Sequence, residues 1–79
     1  MAHTPHELHE EFPRHAEVIS SLRQVNAHFA RMTEEYHLLN RRIHRAETNV
    51  EPLADLAMVH MRKQRAALKD NIYSVLRRH

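Results

Sequence analysis

From Val18 onward, apolar residues recur at alternating separations of four and three: Val18, Leu22, Val25, Phe29, Met32, Tyr36, Leu39, Ile43, Ala46 and Val50. A repeat averaging 3.5 residues sets them on one stripe of a helix. Leu22, Phe29, Tyr36 and Ile43 take one seam position, and Val18, Val25, Met32 and Leu39 take the other. The pattern predicts one long helix over about 13–47, with Ile19 and Leu38 as the large apolar residues off the stripe. Thr48-Asn49-Val50-Glu51-Pro52 should end it, because Thr and Asn are weak helix formers and the residue before proline avoids the α region. After a loop over about 48–52, Met58, Met61, Arg65, Leu68, Ile72 and Val75 resume the same alternation and predict a second helix over about 53–78. Arg65 is the polar intrusion on that seam, and Leu53, Leu56, Val59 and Leu76 widen it, which calls for more than one neighbour.

Residues 1–12 read as a polar, His-rich arm with at most a short helical turn. Thr4, Pro5 and Glu7 have the spacing of a capping box with proline at the first helical position, and Pro13 separates the arm from the long helix. Residues 13–79 form the hairpin domain. So short a connection joins antiparallel neighbours, and the fold class is all-α: an antiparallel, coiled-coil-like helical hairpin. Folding about residue 50 sets Tyr36 near Arg65, Phe29 near Ile72 and Leu22 near the C-terminal end. Phe12, Val18 and Ile19 then overhang without a partner in the same chain. A solitary hairpin also leaves one flank of each stripe wet. The expectation is therefore a homo-oligomer, most simply a dimer forming a four-helix bundle. Its self-association seam would be Val18, Leu22, Val25, Phe29, Met32, Tyr36, Leu39 and Ile43 on the first helix. The second helix would add Met58, Met61, Leu68, Ile72 and Val75.

Composition narrows the chemistry. The 79 residues include no Gly and no Cys. Gly-rich phosphate cradles, thiolate metal sites, disulfides and thiol nucleophiles are therefore excluded. No apolar run approaches the roughly 20 residues of a membrane helix, and no signal peptide is visible, so a cytoplasmic location without membrane contact is expected. The net charge of +2 hides an asymmetry: residues 1–40 hold three Arg and six acids, whereas residues 41–79 hold nine basic and four acidic residues. Attraction between two antiparallel helices accounts for this plainly. The alternative is a basic interaction face of Arg62, Lys63, Arg65, Lys69, Arg77 and Arg78 for RNA or an acidic partner, although few aromatics accompany it.

Several segments together carry a family resemblance. They are His9-Glu10-Glu11-Phe12-Pro13, Leu22-Arg23-Gln24, His28-Phe29-Ala30-Arg31-Met32, Tyr36-His37-Leu38-Leu39-Asn40 and Ile43-His44-Arg45-Ala46-Glu47. With the run from Met61 to Tyr73, the chain resembles the YdcH-like family of small bacterial proteins of undefined function over roughly residues 9–76. The resemblance implies a cytoplasmic helical hairpin with a tendency to oligomerise, and it implies no catalytic or ligand residues. Met61 and Ala67 stand where the family usually has larger aliphatics.

Nine histidines are many for this length. His3, His6 and His9 recur every three residues and are candidate ligands for a weak metal site, since imidazole suits Zn, Ni and Cu; the plainer account is a solvated arm. His6-Glu7-Leu8-His9 lacks the spacing of a zincin motif. His15 takes a seam position, His28 and His60 flank the seams and His37 and His44 lie on the outer face; the plainer account is helix-surface residues, and the sharper one is that protonating all nine histidines weakens self-association at pH 5 relative to pH 8. Arg65 is placed to pair with Glu34 or Glu35, and Phe29 and Tyr36 read as core. Ser20, Ser21 and Ser74 lack a nucleophile elbow, and the adjacent pairs Glu10-Glu11 and Glu34-Glu35 diverge on a helix, so no enzyme and no cofactor is expected. The functional expectation is a protein–protein interaction or adaptor module with an unidentified protein partner. Nucleic-acid binding is the first alternative and metal binding the second.

Overall fold

The computed structural model describes residues 4–48 and 54–79. Among these the chain is helical and contains no strand. A short α1 (Leu8–Glu11) leads through a 3-10 turn (Pro13–His15) into α2 (Ala16–Val25), α3 (Ala27–Glu47) and α4 (Asp55–Leu76). Helices α3 and α4 form the expected antiparallel hairpin. Glu47 meets Arg62 near one end, Asn40 meets Arg65 in the middle, and Phe29 packs with Ile72 and Leu76 at the other end.

The single helix expected over about 13–47 is instead two. Asn26 breaks it with an extended backbone (φ −128°, ψ 101°), and its side chain accepts a hydrogen bond from the Phe29 N–H at 3.0 Å. Asparagine is among the best residues for such a cap, because it satisfies a donor that the new helix cannot. The break lets α2 fold back along α3. Ile19 and Leu22 are thereby buried against Phe29, Tyr36, Ile72 and Leu76. Ile19, expected to overhang, is part of the core. Phe12 is not left without a partner either, since its ring stacks on Tyr73 with centroids 5.6 Å apart. Val25 departs from its seam role: as the last residue before the break it is 82% exposed.

The inward stripe of α3 is also rotated from the one predicted. Phe29, Tyr36 and Ile43 are buried as expected, but Thr33 and Asn40 are buried too, whereas Met32 and Leu39 are half-buried. The added neighbours explain the turn, because α2 and the arm cover the flank that an isolated hairpin would leave wet. Thr33 Oγ1 meets its own need by donating to the Ala30 carbonyl at 2.8 Å.

Two apolar clusters result. One joins Ile19, Leu22, Phe29, Tyr36, Ile72 and Leu76, with Leu8, Phe12, Val18, Met32, Leu68 and Val75 packed around it. The other joins Ile43, Ala46, Met58 and Met61, with Leu39 beside it. Helix α4 starts two residues later than expected, after Ala54, and ends at Leu76, so Arg78 lies beyond the helix. The expected loop over 48–52 falls mostly outside the described residues, as do Val50, Pro52 and Leu53; Thr48 closes α3.

Candidate interaction surface

The arm is bound rather than solvated. Thr4–Glu7 form no helical turn, and α1 begins only at Leu8 without a side-chain cap, so the expected capping box is not made. The chain turns instead at Pro5 and His6, where His6 takes a positive φ of 64°. This aims two carbonyls at the hairpin. Tyr36 donates its hydroxyl to the His6 carbonyl at 2.6 Å, and Asn40 Nδ2 donates to the Pro5 carbonyl at 2.8 Å. Asn40 Oδ1 in turn accepts from Arg65 Nη1 at 3.0 Å. Arg65 therefore pairs with Asn40 and not with Glu34 or Glu35. A planar amide suits this position because it donates to the arm and accepts from the guanidinium at once.

Polar side-chain pairs flank this layer. Glu7 meets His37 at 3.1 Å, and Glu11 meets both His6 and Lys69 at 3.1 Å. Lys69 also lies 5.8 Å from the centre of the Phe12 ring, within cation–π range. Burial pushes the Tyr36 hydroxyl up to about 12, helped by the nearby Glu11 charge. Burial acts in the opposite sense to the partners at Glu11, but the hydrogen bonds from Lys69 and His6 prevail and hold its carboxyl below the ordinary value.

These contacts redistribute the candidate basic face. Arg62 is tied to Glu47 at 2.9 Å, Lys69 to Glu11 and Arg65 to Asn40. Lys63, Arg77 and Arg78 are exposed. Of these three pairs, Lys69–Glu11 joins the acidic and basic halves of the chain, whereas Arg62–Glu47 lies within the basic half.

The histidines scatter. His6 binds Glu11 and His37 binds Glu7. His15 sets its ring edge-on to Phe12 and Tyr73. His9, His28 and His60 are exposed, and His3 lies outside the described residues. Among the described residues no group of three His, Cys, Asp or Glu is placed to hold a metal ion. A cleft of about 440 Å³ between the arm, α2 and α3 brings Glu7, His9, Arg23, Glu34 and His37 to its walls. Of these, Glu7 and His37 are engaged with each other.

Large apolar side chains nonetheless remain outside. Leu56 is 81% exposed, Leu38 58%, and Val59 and Tyr73 46% each. Leu56 and Val59 lie on the outer face of α4, turned away from Met61, Leu68 and Ile72, and Tyr73 lies at the edge of that face, one side of its ring stacked on Phe12 and the rest in solvent. No helix among the described residues is long and apolar enough to cross a membrane.

Residues 29–76 match a protein family described as a protein of unknown function, DUF465. This chain belongs to the DUF465 family. The resemblance to YdcH-like proteins points to the same family. No curated protein and no solved structure matches the chain. The DUF465 match spans α3 and α4 and stops short of Asn26. Tyr36, Asn40, Arg65 and Lys69, which hold the arm, therefore lie within the DUF465 segment, while the arm and α2 lie outside the matched span.

Sequence reasoning missed Asn40, Thr33, Glu7 and Glu11. One signal was available: Thr33 and Asn40 each follow a seam residue and are seven apart, so an inward stripe turned by one residue would have gathered both.

Proposed function

We propose that this DUF465 chain is a small cytoplasmic protein–protein interaction module that self-associates and acts as an adaptor, without catalytic activity of its own. The observation that carries this reading is the outer face of α4, where Leu56 and Val59 stay in solvent while Met58, Met61, Ile72 and Leu76 take up the buried side of the helix. Contiguous exposed apolar side chains are a common mark of an interaction site. The inner seam residues Phe29, Tyr36, Ile43 and Ile72 are occupied within one chain. Self-association is therefore assigned to the outer surface rather than to an opened hairpin. The nucleic-acid alternative has less support, because Arg62, Arg65 and Lys69 are engaged with Glu47, Asn40 and Glu11.

Sedimentation equilibrium over a wide concentration range tests the proposal. A mass rising above 9.4 kDa with concentration supports it. A lone folded species at every concentration removes self-association. Salt-sensitive retention on RNA, lost in Lys63→Glu with Arg77→Glu, would favour the nucleic-acid alternative instead.

A further inference from the structure

The outer face of α4 is self-complementary, and we infer that a second copy of this chain docks on it antiparallel, about a two-fold axis between Ala66 and Ala67. This rests on the self-association reading and names its surface and register. Leu56, Val59, Lys63, Ala66, Asp70 and Tyr73 follow one another at separations of three, four, three, four and three. They therefore share one stripe of α4, with the same period as the buried seam on the other side. All six are exposed.

The order of charges along the stripe selects the direction. Lys63 and Asp70 lie at equal distances on either side of the Ala66–Ala67 midpoint, about 10 Å apart along the axis. A parallel copy would set Lys63 against Lys63 and Asp70 against Asp70. An antiparallel copy sets each Lys63 opposite the partner's Asp70, twice over, by symmetry. The two alanines at the crossing present little bulk, so the helix axes can approach closely there. Leu56 and Val59 then reach the partner's Tyr73 and the aliphatic stem of the partner's Arg77, which suits a side chain that covers apolar surface while its head stays wet.

A single pair of helices of this length buries on the order of 1,000 Å² in total, the lower end for a specific interface. The dimer is accordingly weak, with Kd on the order of tens of micromolar.

Charge exchange on the full chain tests register and direction together. Sedimentation velocity is measured at low salt for wild type, Lys63→Asp, Asp70→Lys, an equimolar mixture of the two variants, and the double variant. Each single variant replaces two attractions by two repulsions and should associate roughly tenfold more weakly. The mixture pairs two Asp with two Lys across the axis and should recover a heterodimer. The double variant should recover a homodimer. Circular dichroism should be unchanged throughout, because both positions are exposed. Single variants that associate like wild type would overturn the inference and leave self-association standing on another face or with parallel helices, where wild type and each single variant alike carry two like-charge pairs. A mixture no tighter than its components would overturn the antiparallel register. A wild-type chain that stays monomeric would overturn both the inference and the self-association reading.

Discussion

Replacing Asn26 with alanine asks whether local helix preference or core burial sets the course of the chain. The cap from Asn26 to the Phe29 N–H is worth about 1 kcal/mol. Alanine favours helix over asparagine by roughly 0.6 kcal/mol, so a chain guided by local preference would run straight through residues 25–27. Straightening would draw Ile19 and Leu22 away from Phe29, Ile72 and Leu76. Each aliphatic side chain of this size contributes about 1.5–3 kcal/mol when buried, so the straight form forfeits roughly 3–6 kcal/mol for a gain below one. The bend should therefore survive in Asn26→Ala, and the variant should be about 1 kcal/mol less stable. For a domain of this size that lowers the melting temperature by roughly 4–8 °C. Thermal melts followed by circular dichroism read the loss. Backbone chemical shifts at residues 25–27 and the radius of gyration, 13.3 Å over Cα atoms here, read the bend. A variant that melts no lower than wild type, with helical shifts unbroken across 25–27 and a larger radius, would refute the claim that Ile19 and Leu22 hold α2 back.

Other expectations follow from the arm and the core. Tyr36→Phe should cost about 1 kcal/mol in urea denaturation; Asn40→Ala should cost about 2–3, because it also strands the Arg65 guanidinium; both should speed amide exchange between Glu7 and Phe12. Glu11 is held below its ordinary value, so its contribution is complete above about pH 4.5 and fades as pH falls through the lowered folded value; Glu11→Gln should flatten that acid limb of the stability curve. Tyr36 behaves in the opposite sense: its contribution is complete below pH 10.0 and is lost as pH rises towards about 12, a limb that alkaline melts of Tyr36→Phe should lack. Ile72→Ala opens a cavity at a fully buried site and should cost about 2–5 kcal/mol, enough to abolish cooperative melting in so small a domain, whereas exposed Leu38→Ala should stay within about 0.5.

The hairpin was legible because it depends on a pattern repeated many times. Phe29, Tyr36, Ile43, Met58, Met61 and Ile72 all fall inward as the alternation of four and three requires. The bend was not legible by the same means. The heptad count runs through Asn26 without losing phase, so periodicity alone could not separate one straight helix from two that fold together. Only the capping chemistry of a single asparagine marked the place, and a lone asparagine is tolerated within many helices. The arm was harder still. Its grip consists of hydrogen bonds from side chains to the carbonyls of Pro5 and His6, and a backbone carbonyl leaves no trace in residue identity. The contacts also span 30 and 35 residues, beyond the reach of any local pattern.

The charge asymmetry gains a different meaning once the contacts are known. A basic half-chain suggests an anionic partner only if its cations face solvent. Here Lys69 reaches Glu11 of the acidic half, Arg62 reaches Glu47, and Arg65 is turned inward onto Asn40. Helix α4 is thereby divided by direction. One side is buried, and beside it Arg62, Arg65 and Lys69 fasten α3 and the arm. The outer side keeps both charges, Lys63 and Asp70, along with Leu56 and Val59. A surface of mixed charge and aliphatic groups is poorly suited to a polyanion, which rewards unbroken positive charge. It suits another helix, which can answer lysine with aspartate and leucine with an apolar stem. The contacts that tie Arg62, Arg65 and Lys69 to Glu47, Asn40 and Glu11 therefore leave on the outer side of α4 a surface in which Lys63 is interleaved with Asp70, Leu56 and Val59.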